Sequence, residues 1–456
     1  MKALFAGLLV TLLCPAIVFA APQGKLPAPE LPALRVLATG VKAEELRSTV
    51  HTLVGFGTRH TLSDTVSETR GIGAARRWVA GRFAEIGRDC GGCLLIETPS
   101  ETVNGKRIPQ PTEIMNVLAI QRGSSEPERV LIISGHLDSR VSDVMDATSD
   151  APGANDDGSG VAAVIEAARV LSRYPLRATV VYAVLSGEEQ GLYGGQLLAK
   201  TAKAKGWQVE AVFNNDIIGN SRGLDGVRDN TVVRVMSEGT RANETTEQAQ
   251  WRKAHGGELD SPSRNLSRYL AVLADEHLVN FHVKQLYRTD RDGRGGDQLP
   301  MQAAGYAAVR LTEGHENYHQ QHQDLRTENG VVYGDTPDQM DFDYLAQTTR
   351  LNTIALAALA MAPAPPTGVM VEGAVSPDTT VRWNTVPSAK AYRVHWRETT
   401  APLWQHARLV DADARSLVLA NTVIDDWFFG VSAVGDLGFE SPVVFPGEIG
   451  RFTAPP

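Results

Sequence analysis

The chain has 456 residues, of which 43% are hydrophobic and 21% are charged, and both fractions are ordinary for a globular protein of more than one domain. Its formal net charge of −9 and its pI of about 5.7 argue against nucleic acid as a partner, because phosphate binding needs a basic field.

Residues 1–20 predict a secretory signal peptide. Lys2 supplies a positive start, an apolar run follows, and small residues favour cleavage after Ala20. A membrane anchor is the alternative, but the run is shorter than the roughly 20 apolar residues that a spanning helix needs. Cys14 raises a lipoprotein alternative, which Leu13 at the preceding position disfavours. We therefore expect a secreted or periplasmic protein without a membrane span.

Residues 21–38 are expected to form a loose lead rich in Pro and Leu, followed by a domain over residues 39–362. Apolar residues at helical spacing predict helices from Ala43 onward and over residues 73–86, 158–171 and 351–361. Continuous apolar runs predict buried strands over residues 116–120, 130–134, 179–185, 211–217, 231–236 and 307–311. This alternation predicts an α/β fold in which a mixed, mostly parallel sheet is flanked by helices.

A local disulfide is expected between Cys90 and Cys93, which bracket a Gly-Gly turn. A zinc knuckle would need a second pair of ligands, and the sequence has no second cysteine pair.

Residues 363–366 form a Pro-rich linker, and a different pattern follows over residues 367–456. Short alternating strands are predicted over residues 381–383, 392–396, 416–419 and 427–434, which indicates a β-sandwich. Trp383, Tyr392 and the run 428–434, followed by Gly438 and Ser441, resemble a fibronectin type III domain. Two roles stay open for it: binding a surface or a polymer, or stabilisation alone.

The first candidate site residues follow a predicted strand. His136 offers a metal an imidazole nitrogen, and Asp138 offers its carboxylate to the other ring nitrogen; the alternative is a hydrogen-bonded histidine at a strand end. Asp156 and Asp157 lie in a Gly-rich turn that opens a helix. A carboxylate such as Asp156 suits a bridge between two cations, whereas Asp157 suits a helix cap.

Three further segments carry candidate ligands. Glu188 and Glu189 follow a buried strand, where adjacent carboxylates are costly unless a cation compensates them; a solvated turn is the alternative. Asp216 ends the next strand, as a ligand or as a structural partner of another residue. Three histidines and three acidic residues fall within residues 313–324, which indicates a metal-binding loop with His319 and His322 as candidate ligands; a polar surface loop is the alternative.

The order of these segments is more specific than any one of them. His-x-Asp, Asp-Asp-Gly-x-Gly, Glu-Glu, Asp and His together resemble peptidase family M28, the two-zinc aminopeptidase family, over roughly residues 51–361. This resemblance implies two zinc ions per chain, with five ligands: His136, Asp156, Glu189, Asp216 and His322. Asp156 would bridge the ions, His136 and Asp216 would complete one site, and Glu189 and His322 would complete the other.

The same resemblance implies that a water activated by two metal ions hydrolyses the peptide bond, with Glu188 as general base and Asp138 as the residue that orients the histidine. One departure concerns the last ligand. The family usually has an acid four residues after this histidine, and neither His319 nor His322 has one. We choose His322.

The expected function is therefore that of a secreted aminopeptidase acting on peptides or proteins. A carboxypeptidase of the same family is the first alternative; Arg288, Arg291 and Arg294 could supply the basic clamp that it needs for a free carboxylate. A non-catalytic binding protein is the second alternative. A non-catalytic protein of this family would be expected to lack at least one metal ligand, whereas this sequence contains every ligand type.

Overall fold

The computed structural model describes residues 31–452. The helices are α1 (Pro32–Gly40), α2 (Ala43–Gly55), α3 (Gly71–Asp89), α4 (Gly158–Leu171), α5 (Tyr193–Ala204), α6 (Thr246–His255), α7 (Pro262–His277), α8 (Gln298–Ala303) and α9 (Phe342–Met361). The predicted signal peptide and residues 21–30 of the predicted lead lie outside the described residues, as do residues 453–456.

The strands of the first part of the chain are β1 (Leu94–Glu97), β2 (Ser100–Gly105), β3 (Ile108–Met115), β4 (Val117–Gln121), β5 (Glu126–His136), β6 (Ala178–Leu185), β7 (Gln208–Asn215), β8 (Val232–Ser237), β9 (His282–Leu286), β10 (Ala308–Glu313), β11 (Arg326–Glu328) and β12 (Val331–Tyr333). The last part contains β13 (Thr367–Glu372), β14 (Thr379–Asn384), β15 (Ala391–Glu398), β16 (His406–Asp411), β17 (Ser416–Leu419) and β18 (Trp427–Val434).

A mixed sheet forms the centre of the molecule. Within the described residues it has eight strands in the order β1-β4-β6-β5-β7-β10-β8-β9. The central strands β6, β5, β7 and β10 are parallel to one another. Strand β4 joins β6 in antiparallel fashion at one side, and β8 joins β10 in the same way at the other. The predicted α/β class with a mixed sheet is therefore confirmed.

Helices cover both faces of this sheet, which explains the continuous apolar runs of its strands. Strand β6 is buried at every position. Its side chains alternate between two cores: Tyr182 packs with helices α1–α4, α7 and α9, whereas Val181 packs with α5 and α8. Helix α4 is buried at every position except Arg169. Packing on all sides therefore fixes the position of its first turn.

Helix α1 corrects the expectation of a loose lead up to residue 38. Pro32 stands at the first turn of the helix, where its missing N–H costs no hydrogen bond. Leu34, Leu37 and Ala38 recur at helical spacing and are buried in the main core. Burial of this apolar face outweighs the Pro-rich composition that suggested an irregular segment.

The C-terminal part is a β-sandwich, as predicted. Two antiparallel sheets, β13-β14-β17 and β16-β15-β18, pack face to face. Between them lies an apolar core that contains Trp383 of β14 and Tyr392 of β15, with ring centroids 5.5 Å apart. The four predicted strands correspond to β14, β15, β17 and β18. The resemblance to a fibronectin type III domain stays a prediction.

A buried ion cluster joins the sandwich to the α/β domain. The Arg397 guanidinium of β15 donates to both carboxylate oxygens of Asp260 at 2.8 Å, and Arg268 of α7 donates to the same carboxylate at 2.8 Å. None of the three side chains is more than 2% exposed. Arg268 also donates to the Pro402 carbonyl of the sandwich at 2.7 Å. Separating the domains would leave the Arg397 guanidinium without its counter-charge, so the sandwich is held in one position.

Two smaller expectations concern the disulfide and the membrane. Cys90 and Cys93 form the predicted disulfide in the turn after α3. Among the described residues, no helix combines the length and the apolar run that crossing a bilayer requires.

Candidate metal centre

The site lies at the carboxyl edge of the central sheet, where open α/β sheets place their ligands. Strand β5 ends at His136, and Glu188 and Glu189 lie in the turn after β6. Asp216 directly follows β7, and Asp156 lies in the turn before α4. Because β6, β5 and β7 are neighbours in the sheet, segments far apart in sequence meet at one point.

Two glycines permit the close approach of these segments. A Cβ at position 160 would lie 2.3 Å from an Asp157 carboxylate oxygen and 2.5 Å from the Asn215 carbonyl oxygen. Gly160 therefore lets the first turn of α4 fit against the ends of the strands. Gly187 has a φ of 80°, a conformation that favours glycine, and it turns the chain so that the two glutamates point inward.

Six side chains form two clusters of potential metal ligands. The first contains His136, Glu188 and Asp216, and the ligand atoms of each cluster lie within 4.8 Å of one another. The second contains Asp156, Glu189 and His322.

Asp156 lies between the two clusters. Its Oδ1 atom is 3.2 Å from His136 Nε2, and its Oδ2 atom is 2.9 Å from His322 Nε2. One carboxylate therefore presents one oxygen to each histidine, which is the geometry that a bridging ligand needs. All the side chains predicted as ligands, together with Glu188, meet here.

The structure places His322 in the site and His319 outside it. His322 Nε2 lies 2.9 Å from Glu189 Oε1 as well as from Asp156. The His319 ring instead packs against Tyr333, with centroids 4.7 Å apart. His322 has a φ of 53°, unusual for a non-glycine residue, and this turn directs its ring toward the clusters.

Asp138 orients the site differently from what we expected. Its main-chain carbonyl lies 3.0 Å from His136 Nδ1, whereas its carboxylate is 3.7 Å away. The carboxylate instead accepts hydrogen bonds from the main-chain N–H groups of Gly187 at 2.9 Å, Glu188 at 3.2 Å and Glu189 at 3.0 Å. Asp138 thus fixes the turn that carries both glutamates, and its carbonyl fixes the imidazole.

Asp157 is the helix cap that the sequence allowed. Its Oδ1 atom accepts the Gly160 N–H of α4 at 2.9 Å, and its Oδ2 atom accepts the His136 N–H at 2.9 Å. This carboxylate therefore links the end of β5 to the start of α4, beneath Asp156.

Two carboxylates of the site are paired with arginines that sequence reasoning missed. Arg310 of β10, fully buried, contacts Asp216 at 2.7 Å and Asp290 at 3.1 Å. Its sequence signal is a charged residue within an apolar strand, which indicates a buried ion pair. Arg140 contacts Glu189 at 3.0 Å, and its Nη2 atom lies 2.6 Å from His322 Nδ1.

Two further residues hold the Asp156 turn from behind. Asp335 accepts the Asn155 N–H at 2.8 Å with one carboxylate oxygen and the Asp156 N–H at 2.7 Å with the other. Arg59, which is fully buried, donates to the carbonyls of Pro152 at 2.6 Å and Gly153 at 2.8 Å. Neither residue carries a sequence signal beyond its polarity.

The electrostatics of the clusters favour bound cations. Burial raises the pKa of Glu188 well above its usual range, and the Glu189 and Asp216 carboxylates raise it further against the opposing effect of His136. Burial also raises the pKa of Asp216, although Arg310 opposes this effect. Burial lowers the pKa of His322, but the Glu189 and Asp156 carboxylates outweigh it and raise the value to about 10.

The donor set fits zinc. Two imidazole nitrogens and carboxylate oxygens, gathered in two groups of three, match the nitrogen and oxygen ligands that zinc takes in proteins. Crowded buried carboxylates are unfavourable without positive charge, and two divalent cations would supply it. The residues present therefore fit the implied metal.

A cavity of about 320 Å³ opens onto both clusters. Its lining includes the candidate ligands Asp156, Glu189, Asp216 and His322, together with Glu188. The candidate ligands therefore face a cavity and are not sealed inside the protein. A sheet with paired imidazole–carboxylate clusters at its carboxyl edge is a candidate two-metal centre, an arrangement that metal-dependent hydrolases use.

Comparison with known proteins identifies the family. Residues 116–336 match the profile of Peptidase family M28. A probable zinc metalloprotease of Pyrenophora teres f. teres is 42% identical over 426 residues, which cover 92% of this chain and 88% of that relative. A probable zinc metalloprotease of Leptosphaeria maculans is 43% identical over 424 residues, 92% of this chain and 98% of the relative. The chain belongs to peptidase family M28.

Solved structures show the same fold. The LapA aminopeptidase of Legionella pneumophila superposes with a TM-score of 0.51 at 17% identity, over 78% of this chain and 80% of that chain. LapB from the same organism gives a TM-score of 0.51 at 18% identity, over 75% of this chain and 78% of that chain.

Proposed function

We propose that this protein is a secreted zinc-dependent exopeptidase that removes residues from the N-terminus of peptides, using two zinc ions. The observation that carries the proposal is the position of Asp156 between two histidine–carboxylate clusters in one open cavity. Asp156 would hold both ions, and a two-metal centre of this kind would polarise a single peptide carbonyl.

The ligands divide between the two ions. His136 and Asp216 would hold one ion and Glu189 and His322 the other, with Asp156 shared between them. Zinc bound there supplies Lewis acidity toward the scissile carbonyl and lowers the pKa of a bound water.

Glu188 is the proposed general base. It lies in the first cluster with His136 and Asp216, and it lines the cavity. Its carboxylate accepts a proton from the attacking water as the C–O bond forms, and it delivers that proton to the leaving amine as the C–N bond breaks. Asp138 holds the Glu188 N–H at 3.2 Å and so positions this base.

The aminopeptidase assignment rests on the resemblance of the whole motif order and on the aminopeptidase named among the structural neighbours. The carboxypeptidase alternative is favoured by the basic residues Arg291 and Arg294, which line the cavity. Arg288, the third candidate for that clamp, lies outside the cavity lining and pairs with Asp292 at 2.8 Å.

Export is proposed from the apolar start of the chain together with the Cys90–Cys93 disulfide, a bond typical of oxidising compartments. For the sandwich we propose a fibronectin type III-like domain with a stabilising role, because the buried contacts of Asp260 with Arg397 and Arg268 fix it to the α/β domain.

The proposed function is tested with a panel of aminoacyl anilides that carry a free N-terminus. We expect zinc to support hydrolysis, a chelator to abolish it, and added zinc to restore it. Glu188→Ala should abolish turnover, whereas Glu328→Ala, on an exposed strand, should not. Inactivity of folded, zinc-loaded protein on this panel would refute the aminopeptidase assignment. Cleavage of N-blocked peptides from the C-terminus would establish the alternative.

A further inference from the structure

The cavity that contains the metal centre is bordered by arginines. Arg140, which pairs with the candidate ligand Glu189, lines it together with Arg107, Arg291 and Arg294. Arg107 lies in the turn between β2 and β3, and its Nη1 atom donates to the Glu189 carbonyl at 2.8 Å. Residues from separate segments therefore bring guanidinium groups to the same opening.

These arginines are only partly neutralised. Among the described residues, no carboxylate lies within 4.0 Å of the Arg107 guanidinium. Arg291 and Arg294 share the carboxylate of Glu316, at 3.5 Å and 3.7 Å, and Glu316 also pairs with Arg234. Arg291 contacts Asp290 as well, at 3.4 Å, and the Asp290 carboxylate also pairs with Arg310 at 3.1 Å. The two carboxylates of Glu316 and Asp290 thus serve four guanidinium groups, and positive charge remains available to a ligand.

Once metal is bound, the carboxylates of the metal centre no longer neutralise the positive charge of these arginines. Four carboxylates line the cavity: Asp156, Glu188, Glu189 and Asp216. Two divalent ions balance four negative charges, so the arginines then set the charge of the loaded cavity. Because arginine stays protonated at any working pH, this positive charge is permanent.

The lining is also poor in apolar surface. Within the described residues that line the cavity, Leu192 contributes the one aliphatic side chain, and the rest are charged residues, His322 and glycines. A site selective for large apolar side chains is usually lined by hydrophobic and aromatic residues. Planar guanidinium groups instead match the geometry of a carboxylate.

We propose that Arg107, Arg291 and Arg294 form a subsite that binds a carboxylate of the peptide substrate next to the scissile bond. The carboxylate belongs either to an acidic side chain or to the C-terminus of a very short peptide. This inference rests on the proposed function, and it specifies the substrate class as anionic.

The experiment uses the full zinc-loaded protein and two matched pairs of peptides. The first pair has N-terminal Glu or Gln and an amidated C-terminus, and the second is a neutral dipeptide with a free or an amidated C-terminus. We expect a preference for the carboxylate in one pair, which identifies its source. Arg294→Ala and Arg107→Ala should reduce that preference by roughly 10- to 100-fold, mainly through KM.

The control variant is Arg288→Ala, which removes an exposed arginine of the same loop that does not line the cavity. It should leave the preference unchanged. Zinc content and melting temperature of each variant exclude a folding defect. Hydrolysis of all four peptides with equal efficiency would overturn the subsite while leaving the proposed function intact.

Absence of hydrolysis of every peptide would refute the proposed function instead. In that case calorimetric titration with free glutamate and free glutamine tests the subsite directly. Tighter binding of glutamate, lost in Arg294→Ala and kept in Arg288→Ala, supports it; equal binding of the two amino acids overturns it.

Discussion

Asp335 offers a sharp test of how the bridging carboxylate is held. Its two carboxylate oxygens accept the N–H groups of Asn155 and Asp156, at 2.8 Å and 2.7 Å. Asp335→Asn keeps the size of the side chain but has one carbonyl oxygen, so one of these N–H groups must face an NH₂ group. The turn then loses a hydrogen bond to a charged group, worth roughly 1.5–3 kcal/mol.

We expect zinc binding to become weaker by a similar free energy. Part of the free energy of zinc binding must then be used to order the turn that the hydrogen bond holds in the wild type. The expected decrease in zinc affinity is roughly 10- to 100-fold. Competition with a chromophoric chelator measures it, and circular dichroism checks the fold. Asp338→Asn, an exposed position three residues later, is the matched control. Equal zinc affinity in Asp335→Asn and wild type would refute the positioning role.

Three further predictions concern the base, the domain contact and pH. Glu188→Gln should lower kcat by roughly 10²- to 10⁴-fold while zinc content stays the same; unchanged turnover excludes it as the base. Asp260→Ala should lower the free energy of unfolding in urea by about 3–5 kcal/mol, because the Arg397 guanidinium is left buried without a counter-charge; a loss under about 1 kcal/mol, as for a surface pair, would show that the contact is weak. Burial raises the pKa of Glu238 from 4.5 to about 7. Between these values the folded chain keeps a proton that the unfolded chain has released, so stability falls as pH rises through this window. Urea titrations below pH 4.5 and above pH 7 measure how far the free energy of unfolding falls across this window. Glu238→Gln should make that fall smaller by about 3 kcal/mol. A fall of the same size in the variant and in the wild type would contradict the prediction.

The buried parallel strands and helix α4 were predictable because continuous apolar runs leave few alternatives. The predicted helix over 158–171 matches α4, and the strand over 179–185 matches β6 within one residue. Helix α6 escaped prediction because none of its residues is buried, so it has no apolar face. Its sequence signal was the capping box of Thr245 and Gln248. Helix α7 carries buried serines and arginines, which hide its periodicity.

Four of the candidate ligands lie at a strand end or just before a helix, whereas His322 lies in the loop between β10 and β11. The full ligand set was predictable from the resemblance of the motif order to peptidase family M28. The contacts that support these ligands were not predictable, since they join residues distant in sequence. Asp335 lies 180 positions from Asn155, and Arg140 lies 182 positions from His322. The acid that the family usually has after the last histidine is absent here, and the Arg140 guanidinium lies against that imidazole instead, a contact that no local pattern indicated.

Zinc stoichiometry tests the central claim most directly. Apoprotein dialysed against zinc and analysed by elemental mass spectrometry should contain two zinc ions per chain. His136→Ala and His322→Ala should each lose one ion, since each removes a ligand from a different cluster. A single zinc in folded wild-type protein, or full retention of both ions in the two variants, would contradict the two-zinc centre.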